Sequence, residues 1–195
     1  AYTGVYPENL VLASGSDGAI RSVFEAYMNP RDVVVHTLPT FAMYAVYGQI
    51  YGCDCRPLTY RPSNNGPVLS AADIVAAIED AEPKLVCLPN PDSPTGTVFN
   101  TYDMRAIIEA AGRSGALMLV DEAYYPFHDT TVLPWVLDYD HLVVTRSTGK
   151  AWGLAGFRIG YCAASRDVAG YLHKVRGMYE TNNVAAAVFE TMLDR

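Results

Sequence analysis

The runs Ala116-Leu117-Met118-Leu119-Val120-Asp121 and His141-Leu142-Val143-Val144-Thr145-Arg146-Ser147 decide the architecture. Each is a short, nearly unbroken apolar stretch rich in Val and Leu, as expected of a strand buried on both faces, and each ends in a polar residue. Working outward, residues 32–38, 53–60, 84–88 and 158–163 have the same character. Helical patterns lie between them. Ile20, Val23, Phe24 and Tyr27 recur at helical spacing, and Ser70 is an expected N-cap for a helix carrying Ile74, Ala77 and Ile78 that stops before Pro83. Thr101 is expected to cap another that runs to about Gly112.

This alternation predicts an α/β fold, a mainly parallel sheet flanked by helices and joined by right-handed crossovers. No internal repeat, low-complexity segment or linker divides residues 1–195, so one domain is expected. Ligands of such sheets bind beyond the carboxyl ends of the strands. Asp121 ends one strand, Ser147 ends the next, Ser93 follows a third, and Lys150 comes three residues after Ser147. Four reactive groups are therefore expected on one edge of one sheet.

The chain has 195 residues, half of them hydrophobic, enough for one well-buried domain. Its net charge of −7, with no basic run, argues against a nucleic-acid groove or an anionic membrane surface and leaves a small molecule as the expected partner. No apolar stretch reaches the roughly 18 residues of a membrane span. The opening Ala1-Tyr2-Thr3-Gly4 lacks the order of a signal peptide, so a cytoplasmic setting is the expectation. Of four cysteines, Cys87 and Cys162 lie in apolar runs and read as buried; Cys53 and Cys55 are expected to face one inward and one outward. No metal-ligand spacing is found, and all four read as reduced structural thiols.

Lysine is scarce, and Lys150 lies among small residues beside Trp152, 29 residues after Asp121 and eight before Arg158. An amine that condenses with aldehydes, a strand-end carboxylate that needs a partner and a downstream arginine together suit pyridoxal phosphate. That cofactor requires a lysine for its aldehyde, an anion for its pyridine nitrogen, donors to its phenolic oxygen, a flat face for its ring and a phosphate cradle. Lys150 and Asp121 meet the first two needs, and Ser93 and Tyr124 are candidates for the phenolic oxygen. Phe41, expected to open the helical stretch after Pro39-Thr40, is the candidate for stacking. Ser14-Gly15-Ser16-Asp17-Gly18 precedes a helix, where free N–H groups favour an anion; Ser147 and Arg158 would add a hydroxyl and a positive charge to the same phosphate.

Taken in order, Gly15-Ser16-Asp17, Pro39-Thr40-Phe41, Asn90-Pro91-Asp92-Ser93-Pro94-Thr95-Gly96, Asp121-Glu122-Ala123-Tyr124 and Ser147-Thr148-Gly149-Lys150 with Arg158 resemble fold type I pyridoxal phosphate aminotransferases, nearest to the histidinol-phosphate aminotransferase-like proteins. The resemblance implies Lys150 as the cofactor-bonding lysine, Asp121 as the pyridinium partner, Tyr124 as a phenolic-oxygen donor and Phe41 as the stacking ring. It also implies a phosphate held through the backbone of Ser16, Asp17 and Gly18 and by Ser147 and Arg158. Ser93 stands where the family has Asn before Pro-Thr-Gly, and Gly149 where many members have Ser. Family members run to roughly twice this length. The match is to their large domain, and the N-terminal segment and the C-terminal small domain are expected to be absent.

The resemblance further implies an amino donor, such as an amino acid or histidinol phosphate, a 2-oxoacid acceptor and a homodimer with sites at the interface. Decarboxylation or β-elimination would use the same residues. A non-catalytic cofactor-binding regulatory module is a third reading, to which the lack of a basic DNA-binding segment gives no support. Gly15-Ser16-Asp17-Gly18 lacks the spaced glycines of a dinucleotide-binding loop.

Overall fold

The computed structural model describes residues 2–193. Seven strands form one sheet: β1 (Leu10–Ala13), β2 (Val33–Leu38), β3 (Asp54–Thr59), β4 (Leu85–Pro89), β5 (Leu117–Asp121), β6 (Leu142–Ser147) and β7 (Gly160–Ala164). Their order across the sheet is β1-β7-β6-β5-β4-β2-β3. From β3 to β6 all neighbours are parallel, whereas β7 runs antiparallel to β6 and β1 antiparallel to β7. The expected parallel sheet is thus the centre of a mixed one.

Helices α1 (Gly15–Tyr27), α2 (Met43–Ile50) and α5 (Arg166–Val175) cover one face, while α3 (Ala71–Ala81), α4 (Thr101–Arg113) and α6 (Asn183–Leu193) cover the other. Strand side chains alternate between the two cores. Leu117, Leu119 and Val143 join Ile20, Phe24 and Tyr44 on the first face. Met118, Val120 and Val144 join Ile74, Met104 and Ile107 on the second. This parity also fixes the polar residues that follow: Asp121 and Thr145 look toward α1 and α2, and Glu122 and Arg146 toward the opposite face.

Ser70 caps α3 in a full capping box with Asp73. For α4 the cap is Asn100, one residue before the expected Thr101, with its side chain accepting from the Asp103 N–H. β7 begins two residues later than expected, because Arg158 closes a short 3-10 turn in a left-handed conformation (φ 53°) and cannot continue a strand. Cys53 and Cys55 both pack, half-buried, against the α1/α2 core; residues two apart on an extended chain share a face, which corrects the expectation that they diverge. All four cysteines are free thiols. Among the described residues, no helix is long and apolar enough to cross a membrane.

The start of α1 rests on β7 through a close backbone approach. A Cβ at Gly160 would lie 2.6 Å from the Ser16 nitrogen and 2.7 Å from the Gly15 Cα, so only glycine lets the helix sit this low. Gly170, exposed in the middle of α5, has nothing within 4 Å of the same position. Opposite outcomes follow from one chemical change. Gly160→Ala should destabilise the protein by about 1–3 kcal/mol through overpacking, while Gly170→Ala should stabilise it by about 0.5–1 kcal/mol through helix propensity. Urea denaturation of the two variants checks both signs.

Candidate active site

Asp121 ends β5 with its side chain buried at 4% exposure. Its Oδ1 accepts from the Thr145 hydroxyl at 2.9 Å and the Ala123 N–H at 3.1 Å; its Oδ2 accepts from the Tyr44 hydroxyl at 3.1 Å. A carboxylate offers about four acceptor positions, so one on Oδ2 stays open. Among the described residues no lysine or arginine forms an ion pair with it. Burial pushes the Asp121 carboxyl up to about 6, against the opposing pull of the bonds from Thr145, Tyr44 and Ala123.

A cavity of about 70 Å³ opens over this carboxylate, lined by Ser16, Phe41, Ser93, Asp121, Tyr124 and Lys150. It adjoins a wider cleft of about 390 Å³ that shares Pro91, Ser93 and Tyr124. Six of the residues singled out in the sequence therefore meet at one place. Lys150 is exposed, with Nζ 5.3 Å from the centre of the Tyr124 ring, and the Tyr124 hydroxyl donates to Ser93 Oγ at 3.3 Å. Phe41 packs edge-on against Tyr44, with centroids 5.6 Å apart, two residues before α2 begins rather than within it.

The remaining expected residues lie outside the lining of this cavity. Asp17, Gly18 and Arg158 line a separate recess of about 690 Å³ against α1. The Asp17 carboxylate accepts from the Tyr47 hydroxyl at 2.9 Å, which leaves only its backbone free for an anion. Arg158 reaches Ser14 O at 3.2 Å and stands over Gly15, while Ser147 Oγ accepts from the Gly149 N–H at 3.1 Å. Ser16, Asp17 and Gly18 occupy the first turn of α1, whose N–H groups have no partner within the helix.

Two side-chain clasps hold the loops that carry these groups. Asn90 closes the loop before Thr101 by donating to Phe99 O at 3.0 Å and accepting from the Phe99 N–H at 2.9 Å. Asp92, buried beside Ser93, accepts from Thr37, Thr40 and Tyr60 at 3.2, 3.2 and 2.7 Å, which ties that loop to the end of β2 and to the turn before Phe41. On the far face of the sheet, Arg146 donates twice to Glu122 Oε2, at 3.0 and 2.9 Å, and stacks 3.6 Å over the Tyr125 ring. This buried ion pair joins the strand ends next to Asp121 and Ser147. Tyr44, Thr145 and Tyr47 were not among the expected site residues. The one sequence signal for the two tyrosines is the aromatic series Phe41, Tyr44, Tyr47 at intervals of three, which also fits an ordinary core-facing helix, and Thr145 has none.

A model of the family described as aminotransferase class I and II matches residues 2–195. The histidinol-phosphate aminotransferase of Thermoanaerobacter pseudethanolicus is 37% identical over 187 residues, which cover 96% of this chain and 52% of that protein. The chain spans about half the length of the curated relatives it matches. Among solved structures, a PLP-dependent aminotransferase from Streptococcus suis superposes with a TM-score of 0.83 at 28% identity, covering 95% of this chain and 50% of that one. Histidinol-phosphate aminotransferase from Sinorhizobium meliloti, solved in complex with pyridoxal-5'-phosphate, gives 0.85 at 24% identity over 95% of this chain and 50% of its own, a likeness of fold. With a family model that leaves out only the first residue and a shared fold along nearly the whole length, the chain belongs to the aminotransferase class I and II family.

Proposed function

We propose that this protein binds pyridoxal phosphate and moves an amino group between an amino donor, such as an amino acid or histidinol phosphate, and a 2-oxoacid. The observation that carries this reading is Asp121, a buried carboxylate with one open acceptor position and no ion-pair partner among the described residues, in the cavity that Lys150 also lines. A protonated pyridine nitrogen fits that position in both charge and hydrogen bonding. Pyridoxal phosphate supplies an aldehyde that bonds amines and a cationic ring that withdraws electrons from the substrate Cα.

Lys150 Nζ would hold the cofactor through its aldehyde and, when free, would accept and return a proton at the substrate Cα. Asp121 would pair with the ring nitrogen and keep it protonated. Tyr124 and Ser93 would donate to the phenolic oxygen, and Phe41 would offer the flat face for the ring. The first turn of α1 at Ser16, Asp17 and Gly18 would receive the phosphate in place of the Glu180 carboxylate, which accepts from the Ser14 N–H at 3.1 Å, with Ser147 and Arg158 adding a hydroxyl and a charge. In this reading residues 1–195 form the cofactor-binding large domain of a cytoplasmic homodimer, on the strength of the family resemblance and the acidic, span-free sequence. Its partners are small molecules rather than nucleic acid or membrane.

If Lys150 is the bonding lysine, protein mixed with pyridoxal phosphate absorbs in the visible, and borohydride fixes the cofactor on the peptide containing Lys150. Lys150→Ala should lose both signals. An adduct on Lys84 or Lys174 instead would contradict the assignment.

Asp121 yields a prediction in which stability and binding move in opposite directions. Its carboxyl is raised in the folded state, so between about pH 4 and pH 6 the folded form holds a proton that the unfolded form has released, and stability falls as pH rises through that window. The loss is about 3 kcal/mol, complete above pH 6. Asp121→Asn removes it, and the Tyr44 hydroxyl can turn to accept from the new amide. Without cofactor, the variant should match the parent near pH 4 and exceed it in stability at pH 7.5, while its cofactor affinity falls. Chemical denaturation at the two pH values, with a binding titration, measures both.

A further inference from the structure

Three tyrosines from one stretch of chain each donate to a carboxylate at the edge of the site. Tyr44 holds Asp121, Tyr47 holds Asp17 and Tyr60 holds Asp92. The first two stand on α2 three residues apart, so they share one side of the helix. The groups they reach lie at opposite ends of the site: Asp121 at the end of β5, where a ring nitrogen would pair, and Asp17 in the first turn of α1, where a phosphate would sit.

The seat of α2 is rigid enough to make those two bonds informative. Tyr44 is fully buried, packs against Phe41 on one side and lies 6.5 Å from the His36 ring. Tyr47 packs against Phe24 of α1 with centroids 5.7 Å apart. Gly48, on the next turn, lets the helix lie directly over Cys55 of β3, where a Cβ would collide with the sulfur. A helix held on both flanks and from below has little freedom to compensate when a hydroxyl is removed.

We propose that Tyr44 and Tyr47 are positioning residues that hold the two ends of the cofactor site from a single helix, Tyr44 through Asp121 and Tyr47 through Asp17. The inference rests on the pyridoxal phosphate reading above and adds to it how the ring end and the phosphate end are kept in register. Among the described residues, Tyr44 supplies the only hydrogen bond to Asp121 Oδ2, the oxygen that retains an open position. Tyr47 orients the turn Ser16-Asp17-Gly18 without touching the anion, because its partner is the Asp17 side chain while the backbone N–H groups face outward from the helix end.

The groups around Asp121 are Tyr44 on α2, Cys87 on β4, Glu122 next in the chain and Lys150 across the cavity, with Asp92 of the loop after β4 acting on Tyr44. Of these, Tyr44 donates a hydrogen bond to the carboxylate, which favours its ionised form. Removing the hydroxyl therefore extends the pH range over which stability falls to a higher end-point.

The experiment compares Tyr44→Phe and Tyr47→Phe, each probed with pyridoxal phosphate and with pyridoxal, which lacks the phosphate. Tyr44→Phe should weaken both ligands alike, on the order of tenfold, because the shared ring end is disturbed. Tyr47→Phe should weaken pyridoxal phosphate several-fold and leave pyridoxal unchanged. Equal losses on both ligands in both variants, or no loss in either, would overturn the proposal. A second readout needs no cofactor: the destabilisation caused by Tyr44→Phe should grow between pH 4.5 and pH 7.5 in the parent, and should be independent of pH in an Asp121→Asn background. A pH-independent cost in both backgrounds would reduce Tyr44 to packing. If the parent itself binds neither ligand, the functional reading fails, and the pH comparison still decides whether Tyr44 acts through Asp121.

Discussion

Keeping a carboxylate charged at the end of a buried strand is costly unless a cation or enough donors stand beside it, and Asp121 has donors but no cation from the described chain. Much of the molecule is arranged around that one group. β5 is central in the sheet, flanked by β4 and β6, so its end lies in the most enclosed part of the edge. Thr145 comes from the neighbouring strand at the paired register position, Tyr44 from the helix above, and Ala123 from the turn that carries the chain onward to Tyr124. Three separate elements converge on four acceptor positions and fill three. The open one is where the chemistry of the site is expressed.

Alternation along β5 and β6 then separates two tasks. Asp121 and Thr145 face the site. One residue further on, Glu122 and Arg146 face away and form an ion pair buried among Thr131, Val132 and Tyr125. Such a pair adds little net stability over an apolar replacement of the same shape, but leaving one partner alone is severely unfavourable. It therefore keeps the two strand ends at a fixed separation, and with them Asp121 and the turn that leads to Lys150. On the site face, the bonds within the Asp92 cluster do the same for the loop bearing Ser93 and the turn bearing Phe41.

What could be read from the sequence follows the same physics. Central strands buried on both faces announce themselves as apolar runs, and five of the six expected strands coincide with observed ones to within one residue at each end. The sixth overran its start at Arg158, because a left-handed residue leaves no mark in hydrophobic periodicity. β1 escaped notice. It has four residues, lies on the sheet edge and carries an exposed Leu12, so it shows neither length nor a clean buried run. The residues gathered in the cavity were legible because reactive side chains at strand ends and in Pro/Gly loops are unusual in a core. Tyr44, Tyr47 and Thr145 were not, because a buried tyrosine or threonine has the same sequence appearance whether its hydroxyl meets a backbone carbonyl or a functional carboxylate. Gly160 was hidden for a related reason, since its role is a close approach between segments far apart in the chain.

The site turns on the charge state of one side chain. Carbon-13 NMR of the aspartate carboxyl groups, with the Asp121 signal assigned by its loss in Asp121→Asn, reads that state directly. In the protein without cofactor the Asp121 carboxyl should titrate near pH 6, well above an ordinary aspartate. With pyridoxal phosphate bound, it should remain ionised across the same range, because the cationic ring takes the open acceptor position. A signal that titrates like an ordinary aspartate without cofactor and does not respond when cofactor is added would contradict the account.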